Sequence, residues 1–448
     1  MTGWTQSQHA DTALNIAVVG SGIAGMSAAW LLSTRHRVTM FEADGRIGGH
    51  SNTVLAGDVP VDTGFIVFNE PAYPNLTALF RHIGVETADS DMSFAVSLDE
   101  GRLEYSGGGV RGLLAQPANL LRPRFWSMLR DLARFFRSAD ADMAGELSLD
   151  EYLDRNGYGS AFREDHLYPM AAAIWSTPAG EIGQYPAASF IRFCANHGLL
   201  KFTGRPIWKT VRGGSRRYVE RLTAPYAERI VLNAALRHVR SLDRGVELAD
   251  WHGHTHQFDH VVLACHADQA LRLLGAPAPD HRDVLGAFRY TRNLAVLHTD
   301  PGLMPRRRPA WSAWNYLAQG SGSDRRLTVT YWMNRLQPLA TSTDLFVTLN
   351  PSVSPRSDRV VSTHTYEHPV FDARAMAAQR LLWALQGHGN LWFCGAYFGH
   401  GFHEDGLQSG LAVAEQLGGV RRPWSVPDES GRIYLGEAEP LRLREAAE

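Results

Sequence analysis

Asn15-Ile-Ala-Val-Val-Gly20-Ser-Gly22-Ile23-Ala24-Gly25-Met26 decides the fold. Four apolar residues after Asn15 read as a short buried strand, and Met26 to Ser33, rich in Ala and Leu, reads as a helix. Gly20 allows the tight turn, Gly22 lets the backbone approach a pyrophosphate, and Gly25 lets helix and strand pack closely. The helix start, at Ile23 and Ala24, offers free N–H groups and partial positive charge to a phosphate. Arg37-Val-Thr-Met-Phe-Glu42 reads as a second strand. Glu42, with Ala43 behind it, is placed to accept ribose hydroxyls. Strand, glycines, helix, strand and acid in register form a βαβ unit built for a dinucleotide.

Composition bounds the rest. At 448 residues the chain is long enough for two to four structural units. Hydrophobic residues at 44% and charged residues at 20% exclude disorder as the main state. Lys+Arg is 44 against 46 Asp+Glu, a net charge of −2, which argues against nucleic acid as a partner. Cys194, Cys265 and Cys394 are too scattered for a disulfide framework or metal cluster and suit a reducing compartment. His364 and His368 have no third ligand in register, so no metal site is expected. The start of the chain lacks the pattern of a signal peptide, and no apolar run is long enough to span a bilayer. The expected location is the cytoplasm, with possible peripheral contact on the inner membrane face.

Val96 to Tyr105 reads as a hairpin or edge strand. Ser148 to Asn156 reads as a helix, with Ser148 capping it and Glu151 three residues on. Arg229–Asp243, Val246–Gly253 and His256–Cys265 read as three strands, and Ala267–Leu274 as a helix. Asn293–His298, Leu327–Met333 and Leu345–Leu349 alternate as strands of a second, antiparallel sheet. Asp372–Leu385 is expected as a helix, Asn390–Gly395 as a buried strand and Gly406–Leu417 as a closing helix; the tail after Pro423 shows no clear core.

Four residues after Glu42 comes Arg46-Ile-Gly48-Gly49-His50, a second glycine pair with a cation beside it. This Glu-x3-Arg-x-Gly-Gly arrangement resembles the flavoprotein superfamily of amine oxidases, protoporphyrinogen oxidase and phytoene desaturases. The resemblance covers residues 14–420 and implies FAD as the cofactor. Gly64 and Phe65, Leu236 on the adenine-side strand, Gly395, and His403-Glu-Asp405-Gly406-Leu407 at the last helix start join the implied cofactor contacts. In the superfamily this helix start faces the flavin N1–O2 edge. The implied fold is α/β: a discontinuous Rossmann-like FAD-binding domain with an inserted substrate domain of antiparallel sheet plus helices. The expected boundaries are 13–90, 205–285 and 388–420 for FAD, 91–204 and 286–387 for substrate, and 421–448 as a C-terminal tail. No second glycine fingerprint sits between strand and helix, so no NAD(P)H domain is expected.

Gly48-Gly-His-Ser-Asn-Thr53, Val61-Asp-Thr-Gly-Phe-Ile-Val-Phe-Asn69, Val296-Leu-His-Thr-Asp300 and Gly401-Phe-His-Glu-Asp-Gly406 are similar to a bacterial branch acting on fatty acyl chains. Its polyunsaturated fatty acid isomerases and furan fatty acid dehydrogenases bear the likeness. The implied activity is desaturation of an unsaturated, methyl-branched acyl chain, free or in phospholipid, by hydride transfer to flavin N5 and proton loss, giving a conjugated diene. A redox-neutral double-bond isomerase, an amine oxidase and a flavin-bound lipid-binding module without turnover stay open as alternatives. Such chemistry needs an apolar slot with aromatic faces; Trp175, Trp311, Trp314, Tyr316, Tyr331, Trp332, Tyr397 and Phe398 supply rings. Candidate proton-handling residues are His403, Glu404, Tyr397 and His298, the last alternating with Asp300 along one strand. Residues 122–137 place Phe125, Met128, Leu129, Leu132, Phe135 and Phe136 on one helical stripe between arginines. That helix either lies in an anionic lipid surface or packs its stripe inward.

Overall fold

Ile16 to Val19 are apolar at every position because the strand they form is covered on both faces. Ile16 and Val18 join one core, with the helices Ile23–Leu32 and His403–Gly418 against them. Ala17 and Val19 join another, beneath an antiparallel meander and the helices Ala267–Leu274 and Pro279–Leu285. The protein, seen in a computed structural model, is described over residues 13–107, 109–175, 182–196, 200, 204–320 and 326–436. The expected loose start (1–12), parts of the Gly107–Gly109 and Gly320–Gly322 runs, and 437–448 lie outside the described residues, as does the Trp175 side chain.

The five strands Ile230–Val231, Arg37–Phe41, Asn15–Val19, His260–Leu263 and Leu391–Phe393 lie side by side in that order, all parallel. Two strand expectations are corrected. Arg229–Asp243 splits into Ile230–Val231 in this sheet and Leu236–Ser241 in the meander; His256–Cys265 splits into Thr255–Phe258 in the meander and His260–Leu263 here. Asp259 stands at the second division, where its carboxylate accepts from Asn15 N at 2.7 Å. Asp372–Leu385 is also shorter as a helix: Asp372 caps Ala373–Gln379, and a separate 3-10 turn, Leu382–Leu385, follows.

The second sheet has seven strands, in the order Val360–Val370, Arg289–His298, Phe346–Leu349, Arg326–Trp332, Trp314–Gln319, Phe94–Leu98 and Leu103–Ser106. It is mixed: Trp314–Gln319 runs parallel to Phe94–Leu98, while the other pairs are antiparallel. Register places Tyr366 opposite Asn293, His364 opposite Ala295, and Trp314 between Tyr331 and Phe94. Cross-strand partners share a face. One face therefore carries His368, Tyr366, His364, Ala295, Leu297, Val329, Tyr331, Tyr316, Trp314, Phe94 and Tyr105.

Helices cover that face. Leu149–Arg155 begins with the expected capping box between Ser148 and Glu151. In Pro123–Ser138 the stripe points inward, with Phe125, Met128 and Phe135 in the core. The inward alternative holds because Asp131 of that helix is buried too, accepting from Gly159 N at 2.9 Å. No helix among the described residues is long and apolar enough to cross a membrane.

The segment after Pro423 has a core after all. Trp424 stacks on Trp30 at 5.8 Å, and Ile433 is buried.

Candidate functional site

The glycine loop needs its three glycines for three separate reasons. Gly20 has φ +103, and a Cβ there would lie 2.8 Å from the Ala264 carbonyl oxygen. A Cβ on Gly25 would sit 2.0 Å from Gly20 O, closing the helix–loop contact. A Cβ on Gly22 would meet nothing within 4 Å, so its glycine is not demanded by protein packing. The helix starting at Ile23 has no side-chain cap and no acid in its first turn. The N–H groups of Ile23, Ala24 and Gly25 thus lack an intrahelical acceptor.

Glu42 ends its strand against the loop, accepting from Ser21 N and Asp44 N at 2.9 Å each. Ala43 is exposed beside it. Ala234 N donates to Glu42 O at 2.8 Å, which lays the approach to buried Leu236 over this end of the sheet. Gly48 N donates to Ser21 O at 3.1 Å, and a Cβ on Gly49 would come 3.0 Å from Gly22 Cα, so the second glycine pair lies against the first loop. Arg46 uses Nη2 on Gly49 O at 2.8 Å, while its buried Nη1 has no protein partner. Gly64 backs onto His50, where a Cβ would stand 2.1 Å from His50 O.

The helix His403–Gly418 crosses Ile23–Leu32 closely through Gly406 and Gly410; a Cβ on Gly410 would lie 2.2 Å from Ala24 O. Ser409 Oγ ties Gly395 N to this helix at 3.0 Å, and Leu407 is wholly buried. An uncapped helix start, an open Gly22, an unpartnered guanidinium nitrogen at Arg46 and a carboxylate at Glu42 fit the pyrophosphate and ribose of FAD.

The expected proton-handling residues have other work. His403 stacks on Phe65 at 3.8 Å, and its Nε2 bonds Tyr218 Oη at 2.6 Å. Burial pushes its pKa down to about 3. Glu404 is fully buried and accepts from Asn75 N, Asn75 Nδ2, Leu76 N and Gln408 Nε2 at 2.9–3.0 Å. It caps the helix Pro74–His82, and both its oxygens are engaged, so the base expected there is a structural carboxylate. Burial raises its pKa even against those donors. Tyr397 packs with Phe288 and Phe398 in the core on the meander side of the parallel sheet. His298 lies on the face opposite Leu297, bonded to Thr348 Oγ1 at 2.7 Å and accepting from Asp300 N at 3.1 Å. Asp300 itself caps Gly302 N and Arg356 N, so no His–Asp pair forms. Asp405, expected as a cofactor contact, turns its carboxylate to His400 N and Phe402 N at 3.0 and 2.7 Å.

What converges instead is His50, Tyr366 and His368. The rings of Tyr366 and His368 lie 5.1 and 5.3 Å from that of His50. Tyr366 Oη is held by Thr63 Oγ1 at 2.7 Å and Asn52 Nδ2 at 3.0 Å, and His368 Nδ1 faces Asn293 Nδ2 at 2.9 Å. Burial first, then neighbouring histidines, drive the His50 pKa well below its ordinary value; burial and His266 bring His368 to about 4. His50 Nε2 is buried without a protein partner. The sequence does carry a signal for this group: His364-x-Tyr366-x-His368 has the two-residue period of one strand face.

From this polar end the sheet face continues through Ala295, Leu297, Val329 and Tyr331 to Trp314 and Phe94. Trp314 and Tyr331 meet edge to face at 4.7 Å. Trp311 and Trp332 pair instead at the His298 end, where both contact Arg308.

A sequence model of the "Flavin containing amine oxidoreductase" family matches residues 23–302. "Putative flavin-containing monoamine oxidase AofH" of Mycobacterium tuberculosis is 25% identical over 332 residues, 71% of this chain and 70% of that protein. Coproporphyrinogen III oxidase of the same organism is 24% identical over 302 residues, 60% of this chain and 62% of that protein. Among solved structures, cyclohexylamine oxidase from Brevibacterium oxydans superposes with a TM-score of 0.65 at 16% identity, over 91% of this chain and 100% of the other. A CLA-producing fatty acid isomerase from P. acnes gives 0.61 at 16%, over 90% and 98%. At these identities the structural likeness shows the fold.

Proposed function

The chain belongs to the flavin containing amine oxidoreductase family, an FAD-dependent oxidoreductase family, and from that premise we propose that it desaturates a neutral, largely hydrocarbon substrate: an unsaturated acyl chain, free or in phospholipid. FAD, when bound, supplies the two-electron acceptor. One observation carries the reading. Among the described residues, the sheet face from Tyr366 to Phe94 presents no Asp, Glu, Lys or Arg. It crosses five strand spacings, about 24 Å at ~4.8 Å each, the length scale of a long acyl chain. A cationic amine or an anionic porphyrin would leave its charge without a partner there.

The residues divide the work accordingly. Trp314, Tyr331 and Phe94 offer apolar ring faces to the part of the chain farthest from the reacting end. Tyr366, fixed by Thr63 and Asn52, walls the reacting end. His50 Nε2 is the proton acceptor: it is uncharged, free and buried. Its low basicity suffices because a proton beside an allylic cation is strongly acidic. The substrate loses two electrons and two hydrogens overall, one of them as this proton. A structural neighbour that is a fatty acid isomerase supports the second reading, a redox-neutral shift of the double bond.

Access from a bilayer completes the proposal. Leu121 is 87% exposed, with Leu120 and Trp126 beside it, and exposed Arg111, Arg124 and Arg130 lie on the same stretch. The proposal puts the membrane contact expected for residues 122–137 at the start of the helix and the turn before it. Incubating the FAD-loaded protein with unsaturated and methyl-branched phospholipids tests the whole. A product two hydrogens lighter supports desaturation; an isobaric product supports isomerisation; turnover of amines alone overturns both.

A further inference from the structure

The segment 421–436 threads two arginines into the helix that starts at His403. Arg422 is buried and holds Glu415 through two bonds, Nε to Oε1 at 2.8 Å and Nη2 to Oε2 at 2.9 Å. Arg432 reaches the other end of that helix. Its Nε stands 3.0 Å from Asp405 Oδ1, with side-chain exposures of 17% and 0%. Arg432 Nη1 donates to Ala72 O, and its backbone N donates to Gln408 Oε1, both at 3.1 Å. The guanidinium also lies 5.9 Å from the Tyr73 ring and 6.0 Å from that of Phe402.

The first turn of this helix therefore holds two buried carboxylates, Glu404 and Asp405, and Arg432 pairs with one of them. A bare helix start carries about half a positive charge. An unpaired Asp405 would more than cancel it. The turn cannot lie far from Gly22, because a Cβ on Gly406 would meet Ile23 Cγ2 at 2.9 Å. Resting on the reading that FAD lies along Gly22 with its ring toward this turn, we propose that Arg432 is a positioning residue for the flavin's redox behaviour. It neutralises Asp405, so that the helix start carries one negative charge fewer toward the ring that gains negative charge on reduction. The C-terminal segment is thus part of the redox apparatus rather than a tail.

The test is the two-electron midpoint potential of the bound flavin, measured in the full-length FAD-loaded protein by dye equilibration. Arg432→Met is expected to shift the oxidised-to-reduced balance at least tenfold toward oxidised, a fall of about 30 mV. Arg432→Lys restores the wild-type value, and so does Asp405→Asn in the Arg432→Met background, because the offending charge is gone. Asp405→Asn alone, which keeps an acceptor for His400 N and Phe402 N, raises the potential. If Arg432→Met does not fold, that single variant decides: an unchanged or lowered potential overturns the proposal. It is equally overturned if Arg432→Met holds flavin at the wild-type potential, or if Asp405→Asn fails to rescue it. A wild-type protein that takes up no FAD refutes the underlying reading instead.

Discussion

Gly22 and Gly25 are three residues apart, and the structure assigns them opposite failures. At Gly22 the backbone has φ −65 and ψ 175, open to any residue, and an added methyl touches no protein atom within 4 Å. Gly22→Ala should cost the apoprotein no more than about 1 kcal/mol, the difference between Gly and Ala at a helix N-cap. The methyl instead occupies the space in which a pyrophosphate approaches the backbone. Losing two charge-assisted N–H contacts at about 1.5–2 kcal/mol each weakens FAD binding about 100–1,000-fold. At Gly25 the added atom would lie 2.0 Å from Gly20 O and 3.0 Å from Ala264 Cβ, so backbone must move. Gly25→Ala should destabilise the apoprotein by about 3 kcal/mol, as overpacking does. Titration of each apoprotein with FAD, alongside its thermal melt, separates the two. Wild-type FAD affinity in Gly22→Ala would refute the assignment of this loop to the phosphates. Wild-type stability in Gly25→Ala would refute the packing argument.

Other consequences can be measured independently. His50→Gln should keep the flavin spectrum while turnover of an acyl substrate falls about 10²–10⁴-fold, the loss typical of a general base; equal turnover removes His50 from that role. Asp62 is buried among Thr53, Ser215 and Gln337, and burial pushes its pKa from 3.8 up to about 6. A raised carboxyl pKa contributes stability that is complete below 3.8 and is lost as pH rises through about 6. The shift of about 2 pKa steps corresponds to roughly 3 kcal/mol. Asp62→Asn should therefore flatten the fall in melting temperature between pH 4 and pH 7, and an unchanged slope contradicts this. Leu121→Asp with Arg130→Glu should reduce sedimentation with anionic vesicles at low salt at least tenfold, with neutral vesicles as the control; equal sedimentation with both lipids rules out the patch.

The dinucleotide unit was legible because its determinants are local. Gly20, Gly22, Gly25 and Glu42 lie within one βαβ turn of chain, and each glycine's reason is set by neighbours close in sequence or in the next strand. The strand divisions between Val231 and Leu236 and at Asp259 were not legible. The residues on either side have similar patterns, and only their pairing in different sheets separates them. The stripe from Phe125 to Phe136 satisfies both a lipid-facing and an inward-facing helix; buried Asp131 settles which. The surroundings of the candidate proton-handling residues were not legible for a related reason. His403, Glu404 and His298 carry the right chemistry, but their hydrogen-bond partners, Tyr218, Asn75 and Thr348, come from distant segments. His364 and His368 were set aside as a metal site, although their alternation with Tyr366 marks one face of a strand. The burial of Arg422 and Arg432 within the expected tail was not legible because only tertiary ion pairs make burying an arginine tolerable.

Anaerobic mixing of the FAD-loaded protein with an unsaturated phospholipid, followed in the flavin's visible band, tests the central claim most directly. The account predicts that the lipid bleaches the band stoichiometrically and is recovered as a diene. A band that stays yellow with every acyl lipid, yet bleaches with a primary amine, would contradict it.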